Sequence, residues 1–236
     1  MTHSTPCLLG LCLLAGALAP STVSAQNWAL TYEAPGAGAT TSTLSSGGVE
    51  TFDTRPFGYD QFTSAFSASV NGVYRNVLVT NDVPNGFAGT RHVGALNARD
   101  YTLTLNQPVN YFGYYLATAD AGNVVSFYSG SQQVGHFDIG RMLISALAGQ
   151  PAYFQPIPVY GWIEPYAFVN FQLTGGASFD RIEFTQSQMG GHESDNHTVG
   201  TYLTIGGVGV VPEAGSLALM SIGLAAIGAM TRRRRR

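Results

Sequence analysis

Three glutamates, Glu164, Glu183 and Glu193, have the side chains best suited to acid–base chemistry in this sequence. Glycoside hydrolysis needs two carboxyl groups flanking the scissile bond, one that donates a proton and one that acts as base or nucleophile. The separation of such a pair in the fold is not visible in the sequence. Solvated strand faces and loops are the simpler interpretation of these residues, and hydrolysis stays open as an alternative.

Other catalytic patterns are absent from the sequence. There is no G-x-S-x-G segment for a serine nucleophile. A phosphate-binding loop of the Walker type needs a lysine, and the chain has none. His192 and His197 are five residues apart, one more than the spacing that places two zinc-binding histidines on one helix face.

Calcium is the cation that the sequence favours, because it binds several carboxylate and carbonyl oxygens. Glu33 and Asp195 are the candidate ligands, since the first and last strands of a jelly-roll sandwich are neighbours; Asp53 and Asp180 are further candidates. The alternative for Asp195-Asn196 is a local structure in which side chains hydrogen-bond to the backbone.

Aromatic residues on a proline-rich segment, residues 150–165, are candidates for ligand binding. Tyr153, Tyr160 and Trp162 present flat rings that can stack on sugars, with Phe154 beside them. Closing one end of a sandwich is the equally plausible structural role for the same rings.

The first 25 residues have the pattern of a signal peptide. An apolar core, residues 7–19, precedes small residues at the predicted cleavage site between Ala25 and Gln26. Both cysteines, Cys7 and Cys12, lie in this segment, so the exported body contains neither disulfides nor thiol ligands.

Short segments of alternating or β-branched residues, separated by Gly- and Pro-rich turns, predict an all-β domain over residues 26–207. Residues 179–186 place Ile182 and Phe184 on one face and Arg181 and Glu183 on the other. Residues 123–128 and 133–137 predict a hairpin, and residues 141–148 the one short helix. Loops are expected at 35–48, 81–97 and 150–165. Eight to ten strands with so little helix favour an antiparallel β-sandwich, jelly-roll-like in topology.

The charge of the body excludes one class of partner. Residues 26–211 carry six arginines and thirteen carboxylates, a formal charge near −7. Nucleic-acid binding depends on a basic surface, so this class of function is not expected.

The C-terminal 26 residues have three parts in a fixed order. A short motif at 211–216 precedes an uncharged apolar run at 217–230 and five arginines at 232–236. The run predicts a single transmembrane helix, and the arginines stay on the cytoplasmic side. The body would then lie outside the inner membrane.

This tail resembles the PEP-CTERM sorting signal of exosortase-dependent proteins in Gram-negative bacteria. Pro212 and Glu213 match the Pro-Glu-Pro motif of that signal, and Ala214 replaces its second proline. The resemblance implies that a membrane sorting protease of the exosortase type cleaves the tail near Val211, Pro212, Glu213 and Ala214.

The central part of the chain, residues 101–199, is also similar to the body of a group of exosortase-dependent surface proteins. The matching segments are Tyr111–Tyr115, Val124–Gly130, Phe168–Phe171, Phe179–Phe184 and Asp195-Asn196. These are packing motifs, so the resemblance implies a fold more than an activity. Similar sandwiches bind carbohydrate, often with a structural calcium.

We therefore expect a non-enzymatic exported protein of the cell surface or extracellular matrix, structural or adhesive and able to bind polysaccharide. No cofactor is expected besides the calcium. The main alternative is an exported carbohydrate-active enzyme on the same scaffold, and the third is a structural protein without a ligand.

Overall fold

The computed structural model describes residues 28–80, 92–96, 100–156, 163–187 and 191–211, with the backbone alone at 59, 60, 92–96 and 156. The predicted signal peptide and the transmembrane run lie outside these ranges. No helix among the described residues is long and apolar enough to cross a membrane.

Strands make up most of the described chain. In chain order they are β1 (Trp28–Tyr32), β2 (Thr43–Glu50), β3 (Gly58–Ala65), β4 (Asn71–Thr80), β5 (His92–Leu96), β6 (Tyr101–Val109), β7 (Tyr111–Leu116), β8 (Asn123–Ser129), β9 (Gln132–Asp138), β10 (Phe154–Pro156), β11 (Ile163–Pro165), β12 (Ala167–Leu173), β13 (Phe179–Gln186), β14 (Gly191–Thr204) and β15 (Gly209–Val210). One α-helix, α1 (Ile139–Ala146), and a 3-10 helix (Pro151–Tyr153) complete the described elements.

The strands form an antiparallel sheet that folds into two layers. The front layer has the order β15-β1-β12-β7-β14, with β2 paired to the later part of β14. The back layer has the order β4-β6-β13-β8-β9, with β3 paired to β4. Strand β5 joins the layers, because it pairs with both β14 and β4. The predicted all-β, antiparallel, sandwich-like fold is confirmed at this level.

Aromatic rings fill the space between the layers. Phe112 of β7 lies 5.6 Å from Phe184 of β13, and Phe171 of β12 lies 5.1 Å from Phe127 of β8, measured between ring centroids. Trp28 closes one side of this core, 4.6 Å from Phe127. Large rings contribute much buried apolar area, which is how a domain without disulfides in its described part stabilises itself.

Strand β13 follows the alternation that its sequence predicts. Ile182 and Phe184 are buried in the core, whereas Arg181 and Glu183 are half-buried on the other face. Successive side chains of a strand point to opposite faces, so a period of two suffices to assign them. The predicted hairpin is also confirmed as β8–β9, with Gly130 supplying the left-handed conformation (φ 58°) of its turn.

Helix α1 begins two residues before its predicted start. The Asp138 carboxylate caps it by accepting a hydrogen bond from the Arg141 backbone N–H at 3.0 Å. Such a cap satisfies one of the N–H groups that have no partner in the first turn. The cap therefore fixes where β9 ends and the helix starts.

Strands also occur inside all three predicted loops. The structure places β2 partly within residues 35–48, β5 within 81–97, and the two-stranded β10–β11 hairpin within 150–165. The proline-rich segment stays outside the main sheet, as its missing N–H donors require. The described fold also extends past residue 207, because β15 pairs with β1 and Val211 is buried in the core.

Candidate functional site

The outer face of the front layer carries buried polar and aromatic side chains as well as solvent-exposed ones. Paired residues in neighbouring strands share a face. Phe168 pairs with Tyr115, and Tyr115 pairs with Asp195, so all three point away from the core rings Phe112 and Phe171. Tyr115 and Phe168 form a second apolar cluster there with Ala117 and Tyr166.

Two of the glutamates come together beside this cluster. After β7 ends, the Ala117 N–H donates to the Glu193 carbonyl at 3.0 Å, and the Ala119 N–H donates to the Pro165 carbonyl at 2.8 Å. The segment 117–119 thus runs between Glu193 on β14 and Glu164 on β11. Two strand spacings, about 10 Å, separate the backbones of these glutamates.

Asp120 and Thr118 complete the group, which we call the carboxylate site (Thr118, Asp120, Glu164 and Glu193). The Thr118 hydroxyl donates to Glu193 Oε2 at 2.8 Å. Each of the four residues is at least partly withdrawn from solvent, and none of the three carboxylates forms a described salt bridge. The site therefore concentrates negative charge without a neutralising cation from the described chain.

Burial and mutual repulsion raise the pKa values of these acids. The pKa of Glu164 is raised to about 7, first by burial and then by the negative charges of Asp120 and Glu193. Burial also raises the pKa of Glu193, although the Thr118 hydrogen bond acts in the opposite direction. Burial raises the pKa of Asp120 as well. At pH 7 the Glu164 carboxyl group is thus partly protonated, and it lies beside two carboxyl groups whose pKa values are also raised.

Such a group can do two things with a sugar. Carboxylates accept hydrogen bonds from hydroxyl groups, and charged acceptors make the stronger bonds. A carboxyl group with a pKa near 7 can also donate a proton to a glycosidic oxygen, while a second carboxylate acts as base or nucleophile.

The Asn123 side chain and helix α1 fix the position of the loop that carries Asp120. The Asn123 side chain accepts from the Asp120 N–H at 2.6 Å and donates to the Gly191 carbonyl at 2.7 Å. Helix α1 approaches so closely that a Cβ on Gly140 would lie 1.7 Å from the Asp120 carbonyl oxygen. Glycine at position 140 is therefore required for α1 to pack against this loop.

The predicted calcium ligands are not brought together. Glu33, Phe168, Tyr115 and Asp195 lie in one row across four strands, which puts Glu33 and Asp195 about 14 Å apart along the sheet. Both Glu33 carboxylate oxygens accept hydrogen bonds, from the Thr41 N–H and hydroxyl at 2.8 Å each and from Asn170 Nδ2 at 2.9 Å. Among the described residues, no three His, Asp, Glu or Cys side chains are grouped so that they could hold a metal.

The local alternative for Asp195 fits the geometry. Its carboxylate accepts from the Asn196 N–H at 2.6 Å, and Asn196 has a positive φ of 51°. The pairing of β14 with β7 shifts register at this point, between Asp195 and Thr198. Asp195-Asn196 therefore forms a bulge rather than half of a shared cation site.

Tyr153 is the candidate ligand-binding aromatic whose contacts the structure shows best; Phe154 beside it, on β10, packs against the core. Tyr153 is buried, packs edge-on against Tyr32, and donates its hydroxyl to the Glu33 carbonyl at 3.0 Å. These contacts make it part of the packing between β1 and the 3-10 helix. Tyr160 and Trp162 lie outside the described residues.

The first residue of the predicted sorting motif belongs to the described fold. Val211 is buried, and its N–H donates to the Leu30 carbonyl at 2.9 Å. Pro212, Glu213 and Ala214 lie outside the described residues, as do Ala25 and Gln26 at the predicted signal-peptide cleavage site.

Both spaced histidines are buried on β14. His197 lies between the Tyr74 hydroxyl and the Ser194 hydroxyl, each 3.0 Å from one ring nitrogen. The Tyr101 hydroxyl adds a further hydrogen bond to this group, 3.0 Å from the Ser194 hydroxyl. This serine–histidine pair is fully buried, so its hydrogen bonds satisfy polar groups inside the core rather than meeting a substrate.

Sequence reasoning found Glu164 and Glu193 but not their partners Asp120 and Thr118. Glu183, the third candidate, lies on the back layer and pairs with Arg181. No spacing in the sequence marks Asp120 or Thr118, because both reach the site only through pairing with β14 and β11. No family model, curated protein or solved structure matches this chain.

Proposed function

We propose that this chain is an exported, exosortase-sorted surface protein whose domain binds carbohydrate at the carboxylate site. Its signal peptide directs export, its C-terminal helix anchors the precursor in the inner membrane, and the two layers form a jelly-roll-like sandwich outside. A sorting protease then releases the body to the cell surface or extracellular matrix, where its role is structural or adhesive.

The observation that supports binding is the grouping of Glu164, Glu193 and Asp120 on one outer face. The carboxylates are half-buried, so a bound sugar would displace little water while its hydroxyls donate to charged acceptors. The aromatic rings beside them are buried and shape the floor of the site rather than offering faces for stacking. The negative charge of the three carboxylates also disfavours an acidic ligand.

Glycan-array binding of the full-length protein in detergent, with and without calcium, tests this proposal. We expect binding to neutral oligosaccharides, and at least tenfold weaker binding after Glu164→Gln or Glu193→Gln, since hydrogen bonds to charged groups contribute about 1.5–3 kcal/mol. Glu183→Gln is the matched control, because it makes the same change on the back layer. Equal binding by all three variants, or no binding to any glycan, would reject a role for this site.

A hydrolytic function is the second candidate, and the raised pKa of Glu164 is the observation that favours it. Its carboxyl group would protonate the leaving oxygen, and Glu193 would act as base or nucleophile. In this case Glu164→Gln lowers the rate of oligosaccharide cleavage by about 100-fold or more. Binding without any release of shorter products would reject the hydrolytic function and leave carbohydrate binding as the proposed function.

A further inference from the structure

The last described segment of the chain, Leu203–Val210, exposes an unusual amount of apolar surface. Its four large apolar side chains, Leu203, Ile205, Val208 and Val210, are between 46% and 71% exposed. They are half of the large hydrophobic residues that the described structure leaves exposed. No charged residue occurs from Thr198 to Val211.

The exposed segment is held in place by hydrogen bonds to the front layer. The Thr31 hydroxyl donates to the Gly206 carbonyl at 2.7 Å, and the Gly207 N–H donates to the Thr41 hydroxyl at 2.8 Å. Farther along, the Val208 N–H donates to the Tyr32 carbonyl at 2.8 Å. The backbone is therefore hydrogen-bonded to the front layer, while the four apolar side chains remain exposed.

The short link between Val211 and the apolar run indicates what this exposed surface contacts. Only residues 212–216 separate buried Val211 from the apolar run that begins at Leu217. At about 3.5 Å per residue this link spans about 20 Å at most. The headgroup region on one side of a bilayer is about 5–8 Å thick. When the run is inserted, Val211 therefore lies within about 15 Å of the headgroup surface, and the Leu203–Val210 segment is within reach of the membrane.

We propose that the Leu203–Val210 segment docks on the lipid bilayer, inserting its apolar side chains at the boundary between headgroups and acyl chains. This inference rests on the proposed membrane anchor. Amphipathic surfaces enter this boundary by burying apolar area. Because the segment is uncharged and the body is acidic, docking uses zwitterionic lipid and is indifferent to salt. Docking holds the domain upright over the short link and presents residues 212–214 next to the membrane.

Single-site labelling of the mature chain in phosphatidylcholine vesicles tests the proposal, since the mature sequence has no cysteine of its own. Val208→Cys and Val210→Cys carry an environment-sensitive fluorophore, and lipids with a nitroxide near the headgroup act as quencher. Val49→Cys is the matched control: Val49 is 51% exposed on β2, about 20 Å along the strand from its end at Thr43. Ala225→Cys reports insertion of the tail.

We expect at least twofold quenching at positions 208 and 210 and no quenching at 49. The quenching should not change in about 0.5 M salt, which screens interactions between charges. Quenching at 225 without quenching at 208 and 210 would overturn the docking inference while leaving the anchor intact. No quenching at 225 would overturn the anchor and, with it, the docking inference. Fluorophores at 208 and 210 that are shielded from a water-soluble quencher but are not quenched by the nitroxide lipids would identify another part of the chain or a second copy as the occupant, which also overturns lipid docking.

Discussion

Replacing Phe112 by alanine is expected to lower the free energy of unfolding by about 3–5 kcal/mol, the range for truncating a large aromatic residue in a core. Phe112 is fully buried on β7. Its ring centroid lies 5.4 Å from that of Tyr114 and 5.4 Å from that of His197, and it also contacts Phe184 across the layers. The loss is large because the cavity would open where both layers meet.

Urea unfolding of the mature protein at pH 7 measures this effect. Phe57→Ala is the matched control, because Phe57 is 56% exposed and its truncation is expected to cost less than about 1 kcal/mol. Since domains are typically stable by about 5–15 kcal/mol, the Phe112 variant would lose a large part of its stability. Equal unfolding midpoints for the two variants would contradict the assignment of Phe112 to the centre of the core.

Lowering the pH from 7 to 4 is expected to remove about 3 kcal/mol of stability through His192 alone. Burial lowers the pKa of His192 to about 4, whereas an unfolded histidine titrates near 6.5. Between these values the unfolded state binds a proton that the folded state does not, so stability rises with pH and is lost as the pH falls. One pKa unit corresponds to about 1.4 kcal/mol. Burial lowers the pKa of His197 too, which adds loss in the same direction.

Burial keeps His192 neutral, although its hydrogen bond to the Thr185 carbonyl raises its pKa, and its two hydrogen bonds set the tautomer. Its Nδ1 lies 3.1 Å from the Thr185 carbonyl, which can only accept, so Nδ1 carries the proton. Its Nε2 lies 3.1 Å from the Tyr114 hydroxyl and accepts from it. A second proton on the ring would break this bond inside a fully buried site.

His192→Gln isolates the effect, because glutamine can donate to Thr185 and accept from Tyr114 without titrating. The carboxylate site opposes the histidines, since its raised pKa values make the folded state bind protons that the unfolded state releases. Comparing variants cancels that contribution. The stability difference between pH 7 and pH 4 should shrink by about 3 kcal/mol in His192→Gln and stay unchanged in the control His136→Gln, which alters an exposed histidine on β9. The same pH dependence in both variants would show that His192 is not protected from protonation.

The sequence predicts those elements of the fold whose structure depends only on the pattern of their own side chains. Ile182 and Phe184 alternate with charged residues, and the period of two identifies both the strand and its buried face. Residues 49–53 predict a second strand, but β2 begins six residues earlier, inside the predicted loop. The pattern does not predict this first part of β2 because its Ser- and Gly-rich sequence has low strand propensity. Its glycines permit a close backbone approach instead: a Cβ on Gly48 would lie 1.9 Å from the Phe66 carbonyl oxygen. Tertiary packing therefore overrides local preference in β2.

The candidate site depends even more on distant pairing. Glu164 and Glu193 are 29 positions apart in the sequence, and they meet only because residues 117–119 bond to strands on both sides. The sequence names acids that could work together, but the register of three strands decides which of them do. The same register separates Glu33 from Asp195, although both were reasonable calcium ligands from their chain positions.

Protease access to the body in cells tests the proposed topology most directly. The full-length chain is expressed in a Gram-negative host with a matching version that ends at Val211, and protease is added to spheroplasts. We expect the full-length body to sediment with the inner membrane and to be digested from outside, and the shortened version to leave the membrane fraction. A full-length body that is protected from protease until the inner membrane is lysed, or that fractionates just as the shortened version does, would contradict an anchored domain outside the cell.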